Sequence, residues 1–340
     1  MLVGEGREVA REWVLGEGAR LPGFRGAFLT GSTLWARPDD VLADSSDVDV
    51  MVVRDPSAPP VGLGKFRHRG VLLEVSCMPD DGPLRSPEAV LGDYHLAGSF
   101  HLPGVLADPT GRLTVIQESV ARHFGERRWV LARSRQALDR VRHLLAAMDE
   151  SAPPADQVTT WLFGTGVMTH VLLVAGLRNP TIRRRYEAVR RLLAEHDRLA
   201  YHETLLGLLG CAELTPDRAE HHLTALEAVF DAAKDVLAPS YRFSSDVSDE
   251  ARAVSIGGSR ELIRRGLHRE SVFWLVATHA RCLAKLSAAG APLPEDAFLE
   301  LLADLGAETF AARRHRAGQV LDALPELWRQ AEALAPDPDA

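Results

Sequence analysis

Three acidic residues and a serine have the spacing that chemistry on phosphate requires. Asp47 and Asp49 alternate with Val48, Val50 and Val52 in the run Ser45-Ser-Asp-Val-Asp-Val-Met-Val-Val53. Side chains two apart on a strand share a face, so both carboxylates point the same way from the start of a buried strand. Two carboxylates that close repel unless a cation lies between them. Mg²⁺ suits such a pair, because it takes oxygen ligands and shares them with substrate phosphates. A third carboxylate, Glu74, sits inside the apolar run Val71-Leu-Leu-Glu-Val-Ser-Cys-Met78. A charge in mid-strand is costly to bury unless it is paired or meets a metal. Three carboxylates on neighbouring strands make a site for metal-assisted attack on a phosphate.

The elements that must position these groups are legible around them. Phe24-Arg-Gly-Ala-Phe-Leu-Thr30 reads as a strand ending in Gly31-Ser32-Thr33. Gly31 permits a tight turn and close backbone approach to a ligand. Ser32 is expected to N-cap a helix whose free N–H groups would receive phosphate. In the Glu74 strand, Leu72, Glu74 and Ser76 share one face, and Val71, Leu73, Val75 and Cys77 the other. The preceding Lys65-Phe-Arg-His-Arg69 is within reach of a triphosphate, although a solvated strand entry is the plainer expectation.

Gly-Ser, a spacer, Asp-x-Asp on a strand and a later strand carboxylate together resemble the DNA polymerase beta-like nucleotidyltransferase superfamily. Within it the chain looks most like the aminoglycoside nucleotidyltransferases, Arg69-Gly-Val-Leu-Leu-Glu-Val-Ser76 being similar to the strand that carries their third acidic residue. The motifs cover the first third of the chain. The spacer from Thr33 to Ser46, with Pro38 and Asp39-Asp40, is a few residues longer than the compact family pattern. The resemblance implies an α/β nucleotidyltransferase domain with a small mixed sheet over 1–115, then an all-α helical bundle domain over 116–335. It implies Asp47, Asp49 and Glu74 as catalytic residues and metal ligands, with Mg²⁺, as two ions, for cofactor. ATP or another nucleoside triphosphate would be held by Gly31, Ser32, Thr33, Arg260 and Arg264. The implied reaction moves a nucleoside monophosphate to a hydroxyl of a small acceptor, as in aminoglycoside resistance, with Glu74 completing the metal site or taking the acceptor's proton. Two other readings stay open: transfer to a protein or an RNA end, as in antitoxin-like relatives, and a non-catalytic nucleotide-binding regulator.

Bulk properties set outer limits. The 340 residues suffice for two domains, and 46% hydrophobic with 25% charged residues is ordinary for a globular chain. A net charge of −8 lacks the basic excess of a nucleic-acid-binding surface. Cys77, Cys211 and Cys282 lie far apart in apolar settings, without metal-binding spacing, as reduced thiols do. Met1 to Arg7 lacks the apolar core of a secretory leader, so a cytoplasmic location is expected. Gln157 to Leu177 has no Asp, Glu, Lys or Arg and is long enough to span a bilayer. Its Gln, Thr, Gly and His content reads instead as the buried central helix of a bundle, and no membrane partner is expected.

From Leu113 onward apolar spacing predicts helices at 113–125, 127–148, 155–177, 181–197, 200–210, 216–237, 259–265, 269–289 and 294–333, the last broken near Gly306. Earlier helices are expected at 5–20 and 87–97, a short strand at 104–108 with Asp108 capping the next turn, and a frayed tail at 336–340. In the helical half, Ser259 reads as an N-cap, Arg183-Arg-Arg185 and Arg190-Arg191 as a basic ridge, and Asp246, Asp249 and Glu250 as a solvated acidic loop or contacts for a cationic acceptor.

Overall fold

Period-2 burial in the first third and helical periodicity afterwards produce two compact units. The computed structural model describes residues 1–337. It divides into Met1–Arg133 with Pro336, and Ser134–Ala335. The first unit holds a small mixed five-stranded sheet; the rest of the chain is mostly helical.

Helix α1 (Val3–Gly16) precedes β1 (Phe24–Thr30), the one-turn helix α2 (Gly31–Trp35), β2 (Val48–Arg54), β3 (Gly64–His68) and β4 (Val71–Pro79). Short helices α3 (Pro87–Leu91) and α4 (Ala97–Phe100) follow, then β5 (Val105–Ala107) and α5 (Arg112–His123). The strand order is β3-β4-β2-β1-β5. β2 and β4 run parallel and the other pairs antiparallel.

Alternation sorts the side chains onto two cores. Val48, Val50 and Val52 join Val71, Leu73 and Val75 against Ala10, Trp13 and Val14 of α1. Phe28, Met51 and Val53 face the other way, against Leu91, Phe100, Leu113, Ile116 and Val120 of α3 to α5. Phe28 and Phe100 put their ring centroids 4.6 Å apart. Asp49 has the parity of Met51 and Val53, so the pleat that buries the valines turns it to the opposite face.

Several sequence expectations meet corrections here. The helix expected over 87–97 is two short pieces, because the Asp93 carboxylate accepts from the backbone N–H of His95 and Leu96 and turns the chain between them. The helix expected over 5–20 ends at Gly16, followed by a 3₁₀ turn over Gly18–Arg20. Lys65 to His68 is no mere strand entry: it lies in β3, closed onto β4 by a turn in which Arg69 and Gly70 both take positive φ. Asp108 does cap its turn, accepting from Thr110 and Thr114. Pro336 is tied down through its carbonyl by Arg127 at 2.7 Å, and the expected fraying beyond Asp337 lies outside the described residues.

The boundary between units falls within α6 (Arg127–Ala146). The second unit continues with α7 (Pro154–Ala175), α8 (Arg185–Glu195), α9 (Ala200–Leu209), α10 (Pro216–Lys234), α11 (Gly258–Arg264), α12 (His268–Ala288), α13 (Asp296–Asp304) and α14 (Phe310–Leu334). These follow the predicted helices within a few residues, and the break near Gly306 separates α13 from α14. The Thr215 hydroxyl caps α10 at the N–H of Arg218, as Thr309 caps α14 at that of Ala312. α7 is long and apolar enough to cross a membrane, but most of it is buried against its own unit. It packs on α8, α9, α12 and α14, which is where a helix apolar all round belongs. The three cysteines are unpaired.

One buried histidine gives this unit an acid-sensitive point. His279 of α12 is 1% exposed, packs against Phe298 with tilted rings whose centroids are 4.9 Å apart, and neither ring nitrogen has a hydrogen-bond partner. Burial, then the nearby His222, pushes it from 6.5 down to about 4. The folded state therefore favours the neutral ring. That stabilisation is full above the unfolded value of 6.5 and is lost as pH falls toward 4, a loss of up to about 3 kcal/mol. Denaturant titrations from pH 7 to 4 should show His279→Leu losing less stability than the wild type over this window.

Candidate metal centre

The register of the sheet assembles the acidic residues. Asp49 on β2 lies beside Glu74 on the parallel β4, Glu74 beside Lys65 on β3, and Asp49 beside Thr30 on β1. A row Lys65–Glu74–Asp49–Thr30 thus crosses four strands. Asp47, just before β2, adds a second carboxylate on the same parity. One ligand atom from each of Asp47, Asp49 and Glu74 falls within 4.8 Å of the others.

Such crowding has electrostatic consequences. Burial first, then the charges of Asp47 and Glu74, pushes the Asp49 carboxyl well above the usual range, and Lys65 pulls it back in part. The Lys65 ammonium lies 2.5 Å from Asp47 Oδ2 and also bonds Glu74. Its side chain is only 6% exposed, which overturns the expected solvated strand entry. The rest of that basic run goes elsewhere: Arg67 donates to the Gly70 carbonyl at 3.0 Å, and Arg69 pairs with Glu12.

Gly31 is required by this arrangement. Its φ is +69°, and a Cβ there would stand 1.9 Å from Asp49 Oδ2. α2 consequently starts at Gly31, with Thr30 rather than Ser32 at its N-cap and no side-chain cap bond. Ser32 is an exposed residue of the first turn, so the expected Ser32 cap is corrected. Thr33 turns inward, with its side chain buried and its carbonyl accepting from Arg7 Nε at 3.0 Å. At the far end of the row, the Thr30 and Ser99 hydroxyls share a 2.8 Å hydrogen bond.

The donor set is all oxygen, which suits Mg²⁺ or Mn²⁺ and not a thiolate- or imidazole-seeking metal. Asp47, Asp49 and Glu74 would hold the ion.

Arg260 and Arg264 belong to the second unit. Arg260 pairs with Glu227, and Arg264 is exposed on α11. Ser259 is not an N-cap: a π-helical turn over Ala253–Gly257 runs into α11, leaving Ser259 buried inside it. Gly258 matters for packing, since a Cβ there would meet Arg183 Nη1 at 2.0 Å. The expected basic ridge is largely neutralised. Arg184 pairs with Glu187 and Glu261, Arg190 with Glu270 and Arg191 with Glu195. Arg185 is buried with its guanidinium 3.9 Å from the Phe273 ring centroid. Asp246 is no solvated loop residue either, being buried and paired with Arg281 at 3.1 Å. The second unit also contains a cavity of about 450 Å³ lined by Tyr241, Phe298, Leu302 and Arg313. None of the residues flagged for nucleotide binding lines it.

No known family model matches the chain, and no curated protein matches it.

Two substitutions test this construction. Asp49→Asn removes one of three mutually repelling carboxyls and should stabilise the metal-free protein by about 1 kcal/mol, while abolishing any rise in melting temperature on adding Mg²⁺. Gly31→Ala should cost about 1–3 kcal/mol, because it combines a left-handed φ with a side chain driven into Asp49. Thermal melts in EDTA and in Mg²⁺ check both.

Proposed function

We propose that this chain is a Mg²⁺-dependent nucleotidyltransferase that moves a nucleoside monophosphate from a nucleoside triphosphate to a hydroxyl of a small acceptor, in the manner of the aminoglycoside nucleotidyltransferases it resembles. The observation that carries the reading is the meeting of Asp47, Asp49 and Glu74, from two adjacent strands, beside the Gly31 turn. Three carboxylates gathered that tightly raise one another's proton affinity and hold negative charge that only a cation relieves. Lys65 offsets Asp47 and Glu74 in part, and a divalent ion would offset the charge that remains.

Divalent metal bound there would neutralise and orient the polyphosphate, the chief demands of phosphoryl transfer. Asp47 and Asp49 supply ligands fixed by the start of β2. Glu74 completes the donor set from β4. Gly31 keeps the backbone of the turn against Asp49, so that the N–H groups of Ser32 and Thr33, which have no partner within the helix, are offered to phosphate next to the carboxylates. The Ser32 hydroxyl, exposed on that turn, is a further donor. The net charge of −8 favours a cationic small acceptor over a nucleic acid. A cytoplasmic setting agrees with three unpaired cysteines.

Incubation with each α-labelled nucleoside triphosphate, Mg²⁺ and a panel of aminoglycosides and other polyols tests the proposal. Label should pass to a small acceptor with release of pyrophosphate, and Asp47→Asn should reduce that transfer by at least about a hundredfold while leaving the circular dichroism spectrum unchanged. Label recovered on protein or RNA would move the reaction to a macromolecular acceptor. Full turnover by Asp47→Asn would refute the assignment.

A further inference from the structure

Lys65 is the cation nearest at hand for the cluster, and its placement is specific. It stands opposite Glu74 in the β3–β4 register, its side chain is almost wholly buried, and its ammonium bridges Asp47 and Glu74. Those are two of the three groups that would hold a divalent ion. A lysine ammonium is a compact point charge, closer to a small ion than a planar guanidinium is. Taking it out of water costs free energy that the two carboxylates must offset. The neighbouring cations Arg67 and Arg69 turn to Gly70 and Glu12.

We propose that Lys65 is a specificity-determining counter-ion of the carboxylate cluster: its ammonium competes with a bare divalent ion for Asp47 and Glu74, and yields when the ion arrives together with a polyphosphate. This rests on the metal-binding reading above. Bare metal entering the cluster adds positive charge next to a buried ammonium, which then loses its carboxylate partners. The metal complex of a polyphosphate brings its own anion, so the displaced ammonium gains a new partner within the reach of its flexible stem. Lys65 therefore couples metal uptake to triphosphate uptake, and the site discriminates against free cations. No bond is made or broken; the coupling is a difference between two binding free energies.

Binding, not turnover, is the test. Full-length protein freed of metal by EDTA and dialysis is titrated with Mn²⁺ alone, and with the Mn²⁺ complex of inorganic tripolyphosphate, by electron paramagnetic resonance and calorimetry. The proteins compared are the wild type, Lys65→Met and Lys65→Gln, the latter keeping a polar donor should the methionine variant fail to fold. The wild type should bind the complex more tightly than the bare ion. Both variants should bind bare Mn²⁺ on the order of tenfold more tightly than the wild type and lose most of the preference for the complex. In EDTA the variants should melt lower than the wild type, and Mn²⁺ should restore them. Equal Mn²⁺ affinity in wild type and variants would overturn the role of Lys65 and leave the metal centre standing. No Mn²⁺ uptake by any of the three proteins would overturn both. Variants with tighter Mn²⁺ binding but an undiminished preference for the complex would overturn the coupling.

Discussion

Like charges held at short range are the constraint around which the first unit is arranged. Asp47, Asp49 and Glu74 lie within 4.8 Å of one another because β2 and β4 run parallel and in register. Nothing in the hydrophobic packing asks for this. The valines that hold the two strands together point to the opposite face, against α1. The face against α1 is apolar throughout, whereas the opposite face carries a second apolar cluster at Phe28, Met51 and Val53 and concentrates its acidity at Asp49 and Glu74. Lys65 and the Gly31 turn are then consequences of that crowding: one offsets charge, the other makes room.

The division of labour along the chain follows the same logic. Short strands alternate between two environments and can aim one side chain at a site while burying the next. Helices in the second unit instead bury broad stripes, and most of their charged groups are spoken for. Arg184, Arg190 and Arg260 each have carboxylate partners, and Arg185 lies on Phe273. An abundance of arginine in that half reflects internal pairing more than a surface prepared for an anionic polymer.

How much of this could be read from the sequence depends on whether the signal is local. The Asp47/Asp49 parity and the Glu74 strand are period-2 patterns within single elements, and both stand in the fold as read. The helices after Leu113 were equally legible, because apolar spacing and caps such as Thr215 are local. The parallel register between Asp49 and Glu74 was not legible, since it depends on pairing residues 25 positions apart. β3 escaped notice because its five residues are short, polar and without a buried stripe. Ser32 looked like a cap, yet the left-handed Gly31 moves that position to Thr30. Ser259 looked like one too, where an unbroken helical path buries it. Which carboxylate a half-buried arginine meets, as with Arg260 and Glu227, is likewise a long-range matter.

The position of β3 has a bearing on solubility. It is an outermost strand of the sheet, and β5, at three residues, is the other. A free strand edge invites pairing with a second molecule, and proteins discourage this with short or charged margins. Here the margin carries Arg67, His68 and Arg69 within a five-residue strand and its turn. The segment that delivers Lys65 to the carboxylates thus also blunts the sheet against self-association. A change that made it more apolar would trade solubility as well as charge balance.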